Sequence, residues 1–533
     1  MRKIRSISAL TFSAFCVCAT LSAAADLRLV EAAKNRDPAA VRTLLDQRVD
    51  VNAAQGDGAT ALAWAAHWND AEMAGLLIRA GADVNRANDY GVTPLSLACT
   101  KGSAGLVKLL LDAGANPNAA RTTGETPLMT CARTGSAEGV KLLLDRGADV
   151  NAKDKRRSQT ALMWAVAQKH SEVAAALMVR GADVNAVSQM PDDFKPVQYL
   201  TYGVYRRDPT RPDDFGPDDV HPEPAASRGG FTALMFAARV GDIASARLLV
   251  EAGAAVNHVS PEYGSALVVA AASGHEEFAK FLLDRGANPN VADRWGFTAL
   301  HYALRDGINA IGMSRERIPT DDYWVRPGLP GLVKPLLERG ADPNARVGDG
   351  FPPFDYAPFA RTTGNSMPQI RQPGATPFFL AAAALDADLM QLLLDHGADP
   401  KLTTTEGSTP LMAAAGAGRL QDLSEAEKQK ALAAVRLALE TGNDVNAANQ
   451  DGRTALASAV FVGATEVVQL LAERGADLNA KDRYGQTALS IARGIGPKYE
   501  GGDKRFYTAP PHPEIAELLL QLGAEPLPAS AGR

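Results

Sequence analysis

The sequence predicts an all-α solenoid of about twelve helix-turn-helix units with short β-hairpin fingers. A step of the form Thr-Pro-Leu or Thr-Ala-Leu recurs, and seven of the ten gaps between successive steps are 33 or 34 residues. The other gaps are one or two periods plus inserted sequence. Self-similarity at this period is typical of stacked repeat architectures. The steps begin at Thr60, Thr93, Thr126, Thr160, Thr232, Ser265, Thr298, Thr376, Thr409, Thr454 and Thr487, after a degenerate unit at Asp26–Ala54.

Each unit contains the signals for two short helices followed by an extended finger. In Gly124–Gly135, Thr126 is the expected N-cap, and Pro127 occupies the first helical position, where its missing N–H costs nothing. The segment Ser136–Arg146 has Leu and Val at helical spacing and precedes Gly147, an expected left-handed C-cap. Two helices this short cannot bury their apolar faces alone, so neighbouring units are expected to stack.

The finger has a recurring sequence whose role is open to two interpretations. "RGADVNA" occurs at Arg146–Ala152 and again at Arg180–Ala186, and near-copies follow later in the chain. The acidic and amide side chains beside a glycine could form a metal loop. Asp149 and Asn151 are, however, suited to local side-chain-to-backbone hydrogen bonds in a turn. We therefore interpret the motif as a structural joint that recurs because the unit recurs.

On these residues the units resemble ankyrin repeats, and the resemblance extends over nearly all of Asp26–Pro526. The family's His after the Thr-Pro-Leu step is present only at His301, in "TALHYA". Most other units have Met, Ser, Ala, Val or Phe there, so the interhelical hydrogen bond usual at that position is expected to be absent in them. The resemblance implies a non-enzymatic scaffold that binds a protein partner in a concave groove.

The same resemblance implies which positions face the groove. These are the two residues after the core of each first helix and the turn residues before each Thr. Trp, Tyr and Arg dominate binding energies at protein interfaces, which favours these residue types as contacts. The residues expected to bind a partner are His67, Trp68, Tyr90, Lys101, Arg133, Arg157, Arg239, Tyr263, Trp295, Arg305, Phe461 and Tyr484.

The first 25 residues are typical of a secretory signal. "MRKIR" is positively charged, Ile7–Leu21 is apolar, and Ala23–Ala25 offers a small-residue cleavage site. A buried N-terminal helix is the alternative. Cys16 and Cys18 lack the context of a lipid-anchored cysteine. We expect a bacterial protein that is exported to the periplasm or secreted, with no membrane span after cleavage.

Composition disfavours several classes of partner. Without the signal, 52 Lys and Arg face 61 Asp and Glu, a net charge of −9. An acidic chain without a basic block is not expected to bind nucleic acid. Cys99 and Cys131 are the remaining cysteines, and both are expected to be small buried residues, with a redox pair as the alternative. We expect a monomer.

Five insertions interrupt the repeats. Two of them, Gln189–Arg228 and Gly348–Gln372, follow a finger, whereas the other three separate the two helices of a unit. Aromatic residues are about twice as frequent in the insertions as in the whole chain, so the insertions either pack onto the repeats or line a pocket. In Leu423–Glu440, a Ser-x-x-Glu capping box indicates a lengthened second helix. The predicted boundaries are 1–25 signal, 26–188 repeats, 189–228 insertion, 229–347 repeats with insertion 308–328, 348–372 insertion, 373–526 repeats with insertions 419–430 and 494–512, and 527–533 tail.

Recognisable catalytic signatures are missing from the sequence. No P-loop, zinc-protease, nucleophile-elbow or haem-attachment motif occurs. Asp208–Pro224 is rich in acidic residues that could hold Ca²⁺, but its five prolines favour an extended arm. We expect no cofactor and no metal. The alternatives are an enzymatic or metal-binding site built by the insertions, and a metal-stabilised scaffold without a partner.

Overall fold

The computed structural model describes residues 26–189, 229–312, 327–348, 373–419, 422–495 and 510–526. The predicted signal, the acidic segment Asp208–Pro224 and most residues of the insertions lie outside these ranges. The chain forms two compact units, Met1–Ala119 and Ala120–Arg533.

In the first unit, helices follow one another in pairs. The first helix of each pair contacts the first helix of the next pair, and the second helices contact one another in the same way. The helices are α1 (Arg28–Lys34), α2 (Pro38–Asp46), α3 (Ala61–His67), α4 (Ala71–Arg79), α5 (Pro94–Thr100) and α6 (Ala104–Asp112).

The second unit also contains helix pairs, and its described residues include one two-stranded hairpin. Its helices are α7 (Pro127–Arg133), α8 (Ala137–Asp145), α9 (Ala161–Ala167), α10 (Ser171–Val179), α11 (Ala233–Val240), α12 (Ile243–Glu251), α13 (Ala266–Ala272), α14 (Glu276–Asp284), α15 (Ala299–Ala303), α16 (Arg305–Gly312), α17 (Pro330–Glu338), α18 (Pro377–Ala383), α19 (Ala387–Asp395), α20 (Pro410–Ala414), α21 (Glu425–Glu440), α22 (Ala455–Phe461), α23 (Thr465–Glu473), α24 (Ala488–Ala492) and α25 (Pro513–Gln521). Strands β1 (Val259–Ser260) and β2 (Gly264–Ser265) pair antiparallel, with Val259 opposite Ser265. The prediction of an all-α fold is confirmed.

Local capping signals determine where the helices begin and end. The Thr126 hydroxyl accepts a hydrogen bond from the Met129 N–H at 3.3 Å, and Pro127 starts α7. Gly147 has a φ of 81°, as expected of a left-handed residue after a helix. These observations confirm the cap predicted at Thr126 and the backbone conformation predicted for Gly147.

The first helix of each pair supplies the centre of the core. All seven residues of α18 are buried, and the rings of Phe378 and Phe379 are completely inaccessible. Full burial of one such ring contributes on the order of 1.5–3 kcal/mol. Second helices bury only one stripe; in α8 the buried residues are Gly139, Val140 and Leu143. Most residues of the first helices are therefore enclosed, and the helix ends and the fingers offer surface for other contacts.

The recurring finger motif joins one repeat to the next. The Asp149 carboxylate accepts the Asn151 N–H at 2.9 Å, which is the local bond that the sequence suggested. The Asn151 side chain instead reaches the following repeat, where it donates to the Gly181 carbonyl at 3.1 Å and accepts the Asp183 N–H at 2.8 Å. The same pair of inter-repeat bonds is formed by Asn52, Asn85, Asn185, Asn257, Asn290, Asn344 and Asn446.

Replacing Asn151 by Ala is expected to lower the free energy of unfolding by about 1 kcal/mol, because it removes two inter-repeat hydrogen bonds at a solvent-exposed site. Urea denaturation monitored by circular dichroism measures the change. Asn35→Ala is the control, since Asn35 ends α1 on the surface and has no side-chain hydrogen bond among the described residues. Equal losses in the two variants would contradict the assigned role of Asn151.

The insertions Ile308–Gly328 and Arg419–Lys430 each contribute described residues to a helix. The insertion predicted to begin at Ile308 lies between α15 and α17, and it contributes to α16, which starts at Arg305 and packs against α18 of the following repeat. The capping box of α21 is confirmed: Ser424 and Glu427 bond each other's backbone N–H, and the helix extends over 16 residues. That insertion therefore lengthens the second helix as predicted.

The two cysteines within the described ranges are oxidised. Cys99 and Cys131 are completely buried, and each takes part in a disulfide. Their burial confirms the predicted small buried residues, and their oxidation agrees with the alternative of a redox pair. A count of two cysteines could not reveal this, because pairing depends on the spacing of the sulfur atoms in the folded chain.

Among the helices that the structure describes, none is both long enough and apolar enough to cross a membrane.

Candidate functional site

The twelve residues expected to bind a partner differ in accessibility. Trp68 exposes 38% and Tyr90 67% of their surface. Lys101 is also exposed. His67, Arg133, Arg157, Arg239, Trp295 and Tyr484 are half-buried.

Tyr263, Arg305 and Phe461 are buried, which corrects their assignment as surface contacts. The Tyr263 ring packs edge-on against Phe231 at 5.1 Å within the core. Arg305 begins α16, and its guanidinium lies 5.3 Å from the centroid of Tyr302. Phe461 ends α22 and lines a small cavity beside α20. A side chain with almost no exposed surface cannot contact a partner.

The first unit brings two of the predicted aromatic side chains together with further residues. Helices α1, α3 and α5 lie side by side, so their C-terminal ends are neighbours. Three of the residues there were not expected from the sequence. We use the name Trp68 cluster for Lys34, Arg36, Trp64, His67, Trp68 and Lys101.

The aromatic rings of the Trp68 cluster are held by one another and by hydrogen bonds. The Trp68 ring stacks on Trp64 at 6.3 Å between centroids and meets His67 edge-on at 4.7 Å. The Trp68 indole N–H donates to the Lys34 carbonyl at 3.1 Å, and the Trp64 N–H donates to the Gln55 side chain at 3.2 Å. Both indole donors are thus satisfied within the unit, and the Trp68 ring keeps its exposed surface.

Cations surround these rings. The Lys34 ammonium lies 5.7 Å from the Trp64 centroid, and the Arg36 guanidinium lies 5.7 Å from the Trp68 centroid. Burial lowers the pKa of His67 below its ordinary value, and the positive charge of Lys101 lowers it further. The cluster is therefore positively charged at neutral pH, with an uncharged His67 at its centre.

In the second unit, Arg133 and Arg239 form similar cation–aromatic pairs. The Arg133 guanidinium lies 5.1 Å from the Trp164 centroid, and Arg239 lies 5.1 Å from Phe236 of its own helix. Arg133 also pairs with the largely buried Glu125 at 3.5 Å. No sequence signal identified Glu125 or Trp164, because their contacts with Arg133 join residues on different elements.

Asx-type turns position the predicted residues of the fingers. The Asp154 carboxylate accepts the Arg157 N–H at 2.7 Å, and Asn88 accepts the Tyr90 N–H at 3.1 Å. The same arrangement holds Trp295 through Asp293 and Tyr484 through Asp482, each at 2.9 Å.

Cations accompany the finger aromatics too. Arg294 lies 5.7 Å from the Trp295 centroid and pairs with Glu262 at 3.3 Å. Arg483 lies 4.6 Å from the Tyr484 centroid and pairs with Asp451 at 2.6 Å. In both fingers the acidic partner of the cation belongs to the preceding finger of the same chain.

Two of the dispersed histidines join repeats together. His170 bonds the Arg133 carbonyl at 3.1 Å, and His275 bonds the Arg239 carbonyl at 3.1 Å. A Cβ on Gly135 would meet the His170 ring at 2.7 Å, so the glycine permits this contact. Within the described residues, His, Cys, Asp and Glu form no group of three that could hold a metal ion. The Ca²⁺ hypothesis concerns Asp208–Pro224, outside those residues.

Comparison with known proteins identifies the repeats. The ankyrin repeats family model, which covers three copies of the repeat, matches residues 29–121, 104–188, 218–293, 234–312 and 423–528. A probable E3 ubiquitin-protein ligase of Oryza sativa subsp. japonica is 33% identical over 219 residues, 34% of this chain and 42% of that protein. Rabankyrin-5 of Mus musculus is 28% identical over 130 residues, 24% of this chain and 9% of that protein. A putative ankyrin repeat-containing protein of Treponema pallidum is 40% identical over 73 residues, 14% of this chain and 24% of that protein.

The chain spans less than half the length of these curated relatives. The family-model matches nevertheless extend over more than half of the chain, and they contain the helices α2–α16 and α21–α25. The chain therefore belongs to the ankyrin repeat family, whose repeats typically serve as non-enzymatic scaffolds for protein interaction.

Proposed function

We propose that this chain binds a protein partner without catalysis, through the groove formed by its fingers and first-helix ends and through the adjoining insertions. The Trp68 cluster is the contact point in the first unit. The observation that carries the proposal is the Trp68 ring, which is 38% exposed although its N–H is bonded internally to Lys34. Exposed aromatic side chains beside Arg are the usual centres of binding energy at protein interfaces.

Rigidity supports the same proposal. Trp68 is fixed by its N–H bond, by stacking on Trp64 and by the edge of His67. A side chain that is already ordered loses little rotamer freedom when a partner binds, so more of the contact energy appears as affinity. In the second unit, the half-buried residues Arg133, Arg157, Arg239, Trp295 and Tyr484 are the expected contacts.

The proposal also covers the export and the oligomeric state of the protein. Residues 1–25 direct export to the periplasm or out of the cell, and the mature chain works as a monomer that does not bind nucleic acid. The activity in the name of the rice relative is not assigned to this chain, because the match covers 42% of that protein.

Replacing Trp68 by Ala is expected to reduce recovery of the partner from a periplasmic extract by at least about tenfold, since the variant loses the central aromatic contact. Quantitative mass spectrometry of the captured proteins measures the change. Val179→Ala is the matched control, because Val179 is 84% exposed at the end of α10 and outside the predicted groove. Thermal melting verifies that both variants are folded. An identical set of captured proteins for all three chains would overturn the proposal.

A further inference from the structure

We infer that the Trp68 cluster receives an acidic peptide segment that also carries a large apolar side chain. The inference rests on the proposed function and adds the chemistry of the partner. It follows from the charges of the cluster, from a comparison with the other cation–aromatic pairs, and from the exposure of Trp68.

The cations of the cluster are only partly paired with carboxylates of the described part of the chain. Among the described residues, neither Arg36 nor Lys101 forms an ion pair, and Lys34 lies 3.7 Å from Glu31. The nearby acids Asp37 and Asp70 are engaged at the starts of α2 and α4. They accept the backbone N–H groups of those helices.

At three other sites a cation beside an aromatic ring also pairs with a carboxylate, whereas Arg247 and Arg285 beside Phe281 form no ion pair among the described residues. Arg133 beside Trp164 pairs with Glu125 at 3.5 Å. Arg294 pairs with Glu262 and Arg483 pairs with Asp451, at 3.3 and 2.6 Å. Arg36 beside Trp68 has the cation and the ring, and a carboxylate from a partner would supply the third group.

The exposed Trp68 ring is the reason why the segment is expected to carry a large apolar side chain. The Trp68 face is apolar, and its polar atom is already bonded to Lys34. A Leu or aromatic side chain on this face would exclude water from the neighbouring cations, and charge-assisted hydrogen bonds to Arg36 strengthen when water is excluded. An acidic segment with one large apolar residue therefore satisfies both parts of the cluster.

Selection from a library of random dodecapeptides on the full chain tests the inference. Enriched peptides should contain more Asp and Glu than the library, with at least one large apolar residue. Arg36→Glu and Lys101→Glu should each abolish this enrichment. Arg48→Glu is the matched control, since Arg36 and Arg48 are both exposed and have φ values of 58° and 57°. The two Arg variants change the net charge equally.

The affinity of the most enriched peptide, labelled with fluorescein, is then measured by fluorescence anisotropy. We expect Arg36→Glu to weaken binding at least about tenfold and Arg48→Glu less than about twofold. The inference would be overturned if the selection enriched no peptides, or enriched neutral or basic ones. It would also be overturned if the two Arg variants had equal effects, or if an oligonucleotide of the same length bound more tightly than the peptide. If one of these outcomes occurred while Trp68→Ala still lost capture of the partner, the acidic-segment inference would be refuted and the proposed function would stand. Capture that is insensitive to Trp68→Ala would refute the proposed function itself.

Discussion

Replacing Gly307 by Ala is expected to lower the free energy of unfolding by about 3 kcal/mol, since the added methyl group has no space. Gly307 lies in α16, where the inserted helix packs on α18. A Cβ there would be 2.0 Å from the carbonyl oxygen of Leu380 and 2.6 Å from its carbonyl carbon. Both atoms belong to a helix backbone, so no side chain can move to relieve the overlap. The helices would have to separate.

Gly105→Ala provides the control for this substitution. Gly105 is exposed within α6, and a Cβ there would meet nothing within 4 Å. The same chemical change should therefore raise the free energy of unfolding by about 0.5–1 kcal/mol through helix propensity. Urea denaturation followed by circular dichroism measures both variants. A Gly307→Ala chain as stable as wild type would show that α16 does not pack on α18 in solution.

Lowering the pH from 6.5 to about 4 is expected to remove about 3 kcal/mol of stability through His301 alone. Burial lowers the pKa of His301 to about 4, against the opposing effects of the Ala345 and Ala375 carbonyls and of Asp342. The Thr298 N–H donates to the His301 Nδ1 at 3.1 Å, so the neutral ring carries its proton on Nε2, which bonds the Ala345 carbonyl at 3.1 Å.

Stability falls as the pH is lowered because His301 binds a proton more readily in the unfolded chain than in the folded one. An unfolded His binds a proton near pH 6.5, whereas the buried ring resists protonation until about pH 4. Protonation therefore favours the unfolded chain. The contribution of His301 is fully present above pH 6.5 and is lost as the pH falls towards 4.

His301→Met isolates this contribution. Met occupies the equivalent position in the repeats that contain Met129 and Met163, so the substitution suits the fold. Carboxylates titrate alike in the wild type and the variant, and their effects cancel when the two stability–pH curves are subtracted. The difference between the curves should change by about 3 kcal/mol over this interval. Parallel curves would show that His301 is not buried in its neutral form.

The amino-acid sequence by itself determined the features that depend on residues close together along the chain. The period, the Thr126 cap with Pro127 behind it, and the capping box at Ser424 are all confirmed. Each arises from contacts within a few residues, where the order of side chains alone sets the geometry. The all-α fold followed from the same signals, repeated along the chain.

The hydrogen bonds between repeats and the burial of individual side chains were decided only by the tertiary structure, because they depend on distances between residues of different repeats. Asn151 was assigned a local role, but its side chain bonds the next repeat through Gly181 and Asp183. Tyr263 and Arg305 match a surface position in the sequence pattern and are buried by neighbouring helices.

The candidate site likewise combines residues expected from the sequence with residues found only in the structure. Periodicity placed His67, Trp68 and Lys101 at helix ends, because the position of a residue within its repeat is a local property. The tertiary structure decided that Lys34, Arg36 and Trp64 join them, and that Arg36 forms no ion pair among the described residues, unlike Arg133 beside Glu125. Charge balance at a surface depends on which side chains meet from different repeats, and that is set only when the helices stack.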